Sequence, residues 1–151
     1  MDPEIRPARP GDTEAIVALI RAAYAPWRAE LDDLPDVTGG ISEEIAEGSV
    51  WIAELDGRPL GIVVASVRDQ DIHLVNLAVA PEAGGRGIGS ALVRAVEANA
   101  ARQGVQKLKL ATHARMQRNV RFYERLGCIV TARDGNKILM ERRLPSAHED
   151  G

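Results

Sequence analysis

The chain has 151 residues, 45% hydrophobic and 27% charged, with a net charge of −3, the balance of a soluble globular protein long enough for one sizeable core. Its longest apolar stretch, around Ile62–Val67, is far short of the ~20 residues that cross a bilayer, and its first residues lack the apolar segment of a secretory signal. A single cysteine, Cys128, excludes an intrachain disulfide and a four-cysteine zinc site, and these features together predict a cytoplasmic protein.

Ile5–Ala8 reads as a short extended start. Asp12 is a suitable N-cap for a helix from Thr13. In that helix Ile16, Leu19, Ile20, Ala23 and Tyr24 recur with the spacing of one buried face. Pro26 is expected to end it. Residues Ala25–Ile41 hold two prolines, two glycines and four acids besides Trp27, and read as a loop or broken helix. A short helix near Ser42–Glu47 follows. Val50–Leu55 and Pro59–Val67 read as a hairpin joined by Asp56-Gly57. Ile72–Val79 is nearly all apolar, which predicts a strand buried on both faces and closed by Pro81. Gly84-Gly85-Arg86-Gly87-Ile88-Gly89 then leads into a helix from about Ser90 to Gln103, stopped by Gly104. Lys107–Ala111 is a strand, and Gln117–Leu126 a helix stopped by Gly127. Cys128–Arg133 and Lys137–Arg143 close the chain as two strands around Asp134-Gly135-Asn136. Residues 145–151 read as a flexible tail, leaving 1–144 as one domain.

The order is β, α, α, β, β, β, α, β, α, β, β. The crossover around the central helix makes part of the sheet parallel, and the hairpins at both ends make the rest antiparallel. The expected fold class is therefore α/β, a mixed, mostly antiparallel sheet of six to seven strands with helices on both faces.

Charge is unevenly spread. Residues 1–56 carry 13 acids and 4 bases, and residues 86–125 carry 9 bases and 2 acids. Most of these charges are solvated surface. A basic centre nevertheless suits a polyanionic ligand, and an acidic N-terminal third suits a cationic one. Nucleic acid is not the expected polyanion, because the arginines at 94, 102, 115, 118, 121 and 125 belong to a chain whose net charge is negative.

A strand running into a glycine-rich turn and then a helix is an anion-binding arrangement. The first helical N–H groups have no partner within the helix, glycines allow close approach, and the helix dipole favours negative charge. Arg86 and Ser90 add a guanidinium and a hydroxyl. The span Gly84–Gly89 matches a nucleotide-triphosphate loop, but Ser90 stands where that loop needs lysine. No register supplies the Gly-x-Gly-x-x-Gly of a dinucleotide site. A tight turn with no ligand is the alternative.

The stretch Asn76-Leu-Ala-Val-Ala-Pro-Glu-Ala-Gly-Gly-Arg-Gly-Ile-Gly-Ser-Ala-Leu92 resembles the acetyl-CoA-binding motif of the GNAT N-acetyltransferase superfamily, Arg/Gln-x-x-Gly-x-Gly/Ala after an apolar strand. Asn119-Val-Arg-Phe-Tyr-Glu-Arg-Leu-Gly127 is similar to the family's second signature helix. The order of elements also matches over about residues 4–144. Two positions depart from the pattern: Gly84 stands where the family has Arg or Gln, and Cys128 where it has an aromatic or bulky apolar residue.

The resemblance implies transfer of an acetyl group from acetyl-CoA, as co-substrate and without a metal, to a primary amine by direct attack. The amine belongs to a small molecule or a protein. It implies that Leu77, Ala78 and Val79 bind the pantetheine through their backbone, and that Gly84, Gly85, Arg86, Gly87, Ile88, Gly89 and Ser90 form the pyrophosphate turn. Asn119 would contact the cofactor. Tyr123 would be the general acid, or else a core aromatic beside Phe122. His73, six residues before Val79 and on the same side by strand alternation, occupies an offset where some members carry a catalytic Glu. An imidazole titrates near neutrality and suits a base, although a surface histidine would read the same. His113 is a second candidate and a water chain a third. Trp27 and Asp33 in the acidic loop would hold the acceptor's cation, Trp27 through a cation–π contact, with Asp32 and Asp36 beside them. A homodimer paired through edge strands near 128–143 is possible by sequence. The alternative to an enzyme is an inactive acyl-CoA-binding or regulatory protein of the same fold.

Overall fold

The computed structural model describes residues 3–32 and 39–145. Its strands are β1 (Glu4–Pro7), β2 (Val50–Leu55), β3 (Arg58–Arg68), β4 (Asp71–Val79), β5 (Lys107–His113), β6 (Ile129–Asp134) and β7 (Lys137–Arg143). The helices are α1 (Thr13–Arg28), α2 (Ile41–Ala46), α3 (Ile88–Ala100) and α4 (Gln117–Arg125), with 3₁₀ turns at Pro10–Asp12, Pro81–Ala83 and Ala101–Gln103. The expected order of elements holds throughout. The strands form one seven-stranded sheet in the order β1-β2-β3-β4-β5-β7-β6. β4 and β5 run parallel, while the β1–β2, β2–β3, β5–β7 and β6–β7 pairs are antiparallel.

The chain divides into two compact units, Met1–Ala65 with Asn76–Val96, and Ser66–Val75 with Glu97–Gly151. The first is built on an aliphatic cluster. Ile16, Leu19 and Ile20 of α1 and Ile41 and Ile45 of α2 pack with Val50, Ile52, Ile62, Val64 and Ala78 of the strands. Asp56 and Gly57 both have positive φ, the backbone that a two-residue hairpin turn demands.

Two local expectations are corrected here. Asp12 does not cap α1 with its side chain. Its carboxylate takes the Arg6 guanidinium at 2.8 Å and the Arg9 N–H at 2.7 Å, and Arg6 also reaches Glu54 on β2 at 2.8 Å. The stronger charge-assisted partner outcompetes the cap. Pro26 does not end α1, which continues to Arg28. A proline in the last turn removes one backbone bond, while the Ala29 N–H still reaches the Ala25 carbonyl. Trp27 therefore lies on the helix and not in a loop.

In the second unit β7 is sandwiched between β5 and β6. β6 is the sheet's edge and is exposed along most of its length. Its ladder with β7 shifts register between Val130 and Ala132. Tyr123 is buried, with its ring edge-on to Phe122 at 5.1 Å between centroids. Arg142 of β7 pairs with Glu97. Cys128 is buried, and burial pushes its thiol pKa up.

β4 corrects a third expectation. It is not buried on both faces. Ile72, Leu74, Asn76 and Ala78 are buried, whereas His73, Leu77 and Val79 are half-buried and Val75 is 53% exposed. The strand alternates, but an apolar residue on the open face hides the alternation in the sequence.

Candidate active site

In the first unit the end of β4 leads through the 3₁₀ turn at Pro81–Ala83 into the glycine-rich stretch and α3. The β4–β5 ladder runs from Asp71↔Lys107 to Leu74↔Leu110 and covers β4 only to Leu74. Beyond it, Val75–Val79, including Leu77, Ala78 and Val79, have no partner in that ladder, while the other edge of β4 lies against β3. Beyond Val79 the Ala80 N–H donates to the Leu60 carbonyl at 2.8 Å, which ties the end of β4 to β3.

The turn follows at once. Gly85 and Gly87 have φ of 82° and 75°, in the region that side chains rarely adopt. Neither would meet any atom within 4 Å if given a Cβ, so the backbone and not crowding demands glycine there. From Gly85 through Ser90 the backbone N–H groups donate to no carbonyl among the described residues; the first helical bond is Ala91 N–H to Gly87 O at 3.0 Å. The result is a run of unpaired donors at the positive end of a 13-residue helix. Arg86 is exposed and pairs with no carboxylate among the described residues. Gly84 has φ −62° and ψ 149°, ordinary extended backbone, and a Cβ there meets only the Pro81 carbonyl at 3.6 Å. Its departure from the Arg/Gln pattern is therefore not a backbone requirement. Helix α3 begins at Ile88, two residues before the predicted start, because the left-handed Gly87 ends the turn there.

One residue that sequence reasoning passed over positions this helix. Gly61, in the middle of β3, is buried. A Cβ on it would lie 2.9 Å from Ile88 Cγ2, 3.1 Å from Leu92 Cδ1 and 3.3 Å from the Ala78 carbonyl. The glycine lets the first turns of α3 sit directly on the sheet. The signal was present, since an isolated glycine inside a strand pattern marks a close approach.

On the other face of β4, Asn76 is 4% exposed. The Tyr24 hydroxyl of α1 donates to its Oδ1 at 2.9 Å, while its buried Nδ2 has no hydrogen-bond partner among the described residues. Burial pushes the Tyr24 phenol up, so it stays neutral and a donor. Trp27, one turn further along α1, is half-buried. Asp33 and Asp36 lie outside the described residues; Asp32 is exposed.

The second unit holds the acid and base candidates. Tyr123 and half-buried Asn119 lie on α4, one turn apart. His73 is half-buried on β4, opposite Lys109 in the ladder, and its buried Nε2 has no hydrogen-bond partner among the described residues. It is not the freely solvated surface histidine that the sequence also allowed. Lys109 pairs with Asp71 at 3.1 Å. His113 is the last residue of β5 rather than a loop residue, and its Nδ1 accepts the Arg115 N–H at 3.1 Å. Among the described residues no cluster of His, Cys, Asp and Glu could hold a metal ion, and no helix is long and apolar enough to cross a membrane.

The acetyltransferase (GNAT) family profile matches residues 14–128, which include the β4 edge, the glycine turn and α4. The chain belongs to the GNAT acetyltransferase family. Among its relatives, N-acetyltransferase family 8 member 2 of Rattus norvegicus is 35% identical over 102 residues, 63% of this chain and 44% of that protein. An uncharacterized N-acetyltransferase of Methanocaldococcus jannaschii is 34% identical over 104 residues, 67% of this chain and 59% of that protein. The match thus spans about half the length of these curated relatives. In fold, the chain is similar to the PaiA N-acetyltransferase of Thermoplasma acidophilum, solved in complex with coenzyme A. The TM-score is 0.86 at 20% sequence identity, covering 95% of this chain and 100% of the other.

Proposed function

We propose that this GNAT chain, with residues 1–144 acting as one domain, transfers the acetyl group of acetyl-CoA to a primary amine by direct attack. The observation that carries the reading is the run of unpaired N–H groups from Gly85 through Ser90, set after a strand whose last five residues have left the β5 ladder. A pyrophosphate fits the first and an extended, amide-bearing chain such as pantetheine fits the second. The relatives' names and the coenzyme A held by the Thermoplasma protein support the same ligand.

In the reaction, the amine nitrogen attacks the thioester carbonyl carbon, and the C–S bond breaks as the tetrahedral intermediate collapses. The Val79 N–H would stabilise the oxyanion. Tyr123, buried beside Phe122, would give its hydroxyl proton to the departing thiolate and recover one through water from the attacking nitrogen, which sheds its second proton as the amide forms. His73 would accept the proton that the ammonium must lose before attack. Six residues of strand span about 20 Å at ~3.3 Å each, so His73 would act through intervening water. Trp27 and the aspartates at 32, 33 and 36 would face the cationic acceptor, and the exposed edge strand β6 would be the surface for pairing with a second copy.

The test is calorimetric binding of acetyl-CoA, followed by thiol release with a panel of amines. Micromolar binding with amine-dependent thiol release is expected. Binding without release from any amine would leave an acyl-CoA-binding protein and not a transferase, and absence of binding would refute the site.

A further inference from the structure

The strands of the second unit leave one face of their sheet open. Their ladders set His73, Lys109, Glu141 and Ile129 in one row across β4, β5, β7 and β6, and Ala111, Leu139 and Ala132 in the next. Residues directly opposite one another share a face, and positions two apart on a strand share it too. Leu74, Leu110 and Met140 lie buried on the reverse face, where Arg142 also pairs with Glu97. On the open face, Ile129 is 65% and Leu139 38% exposed, and Ala111 and Ala132 on either side of Leu139 are exposed as well. Single exposed apolar residues are ordinary, but a contiguous group marks a surface that something covers.

The charges around this group narrow what can cover it. Lys107 takes Glu141 at 3.3 Å, and Lys109 takes Asp71 at 3.1 Å. Lys137 and Arg143, at the two ends of β7, are exposed. The carboxylates beside the apolar residues are therefore already neutralised, and the face repels a molecule carrying several positive charges. Size narrows it further. His73 and Ile129 are three strand spacings apart, about 14 Å, which an extended chain of about four residues covers.

We propose that this face holds the acceptor as a polypeptide, an extended apolar segment lying on Ala111, Leu139, Ala132 and Ile129 and carrying the amine to be acetylated. The inference rests on the acyl-transfer reading above with His73 as its base, because the acceptor must then pass over the face that His73 shares. The row of Leu139 lies one step further in the direction in which β4 runs from His73 to Val79. Leu139 and Ile129 set specificity and touch no reacting atom.

The test uses two peptides of equal length, each with a free N-terminus and one lysine, one otherwise built of alanine and leucine and the other of glycine and serine. A linear polyamine is the third acceptor. Thiol release is followed at saturating acetyl-CoA. The apolar peptide should have a kcat/KM about tenfold above the glycine–serine peptide, through KM, and should exceed the polyamine. Leu139→Ser and Ile129→Ser change exposed positions and should each reduce that preference roughly three- to tenfold, the worth of a partly buried apolar side chain. Acetyl-CoA affinity by calorimetry should stay the same in both variants. Equal rates for the two peptides, a preference that survives both substitutions, or the polyamine as the best acceptor would overturn the proposal and leave the acyl-transfer reading standing. A dimer in sedimentation that Leu139→Ser dissociates would overturn it too, by assigning the face to a second copy. If acetyl-CoA does not bind, or no amine releases thiol, the transferase reading fails and the inference with it.

Discussion

Gly61→Ala adds one methyl group at the point where α3 meets the sheet. The new carbon would lie 2.9 Å from Ile88 Cγ2 and 3.1 Å from Leu92 Cδ1, where ordinary carbon contacts begin near ~3.5 Å. Something must move by about half an ångström. Leu92 Cδ1 can swing away at the end of its side chain. Ile88 cannot do so easily, because a β-branched residue in a helix has essentially one χ1 rotamer. The Ala78 carbonyl, 3.3 Å away, belongs to the backbone of β4. The relief therefore falls on the first turn of α3, which carries the donors proposed for the pyrophosphate. Overpacking of this size costs about 1–3 kcal/mol of stability. Acetyl-CoA affinity should fall roughly tenfold as the donors leave their alignment. Urea denaturation measures the first and calorimetry the second. Gly61→Ala/Ile88→Ala removes the Cγ2 that clashes and should recover much of the affinity, a double-mutant coupling that independent sites would not give. If Gly61→Ala binds acetyl-CoA as tightly as the unmodified chain, the close packing of α3 does not position the site.

Four other outcomes are expected. Gly84→Gln should tighten acetyl-CoA binding severalfold by calorimetry, because extended backbone at 84 accepts a side chain and a glutamine adds donors. Tyr123→Phe should lower turnover by about 10²-fold in a thiol-release assay, with acetyl-CoA binding intact. His73→Gln should lower turnover and flatten the acidic limb of the rate–pH profile, since protonation of a base abolishes its function as pH falls. An unchanged profile would pass the role to His113 or to water. Asp12→Asn concerns stability alone. The Arg6 guanidinium holds the Asp12 carboxyl down at about 2, against a usual 3.8. A depressed carboxyl stabilises the fold above its unfolded pKa and ceases to do so as pH falls from about 4 to about 2. With solvent screening at this partly exposed pair, the loss in Asp12→Asn at pH 7 should be roughly 1 kcal/mol by urea denaturation, shrinking to nothing near pH 2.

Strand positions were legible because turn chemistry brackets them. Asp56-Gly57 marks β2 and β3, and Asp134-Gly135-Asn136 marks β6 and β7, each to within a residue or two. The glycine turn was legible for the same reason, since Gly85 and Gly87 adopt the positive φ that only their residue type takes readily. What stayed hidden depends on tertiary partners. Asp12 reads as a cap until Arg6 is seen beside it, and Pro26 reads as a stop although a last turn tolerates it. The two faces of β4 could not be told apart, since Val75 on the open face is as apolar as Leu74 on the closed one. The Asn76 contact was hidden because nothing in the sequence pairs it with Tyr24, 52 residues earlier. The acceptor side was least legible, for Asp33 and Asp36 carry no pattern and lie outside the described residues.

The central claim is that the backbone N–H groups from Gly85 through Ser90 hold the pyrophosphate of acetyl-CoA. Amide NMR during an acetyl-CoA titration addresses it directly. The account predicts that the resonances of these six residues shift most and that their exchange with solvent slows on binding. Saturable binding that leaves these amides unshifted and still freely exchanging would contradict it.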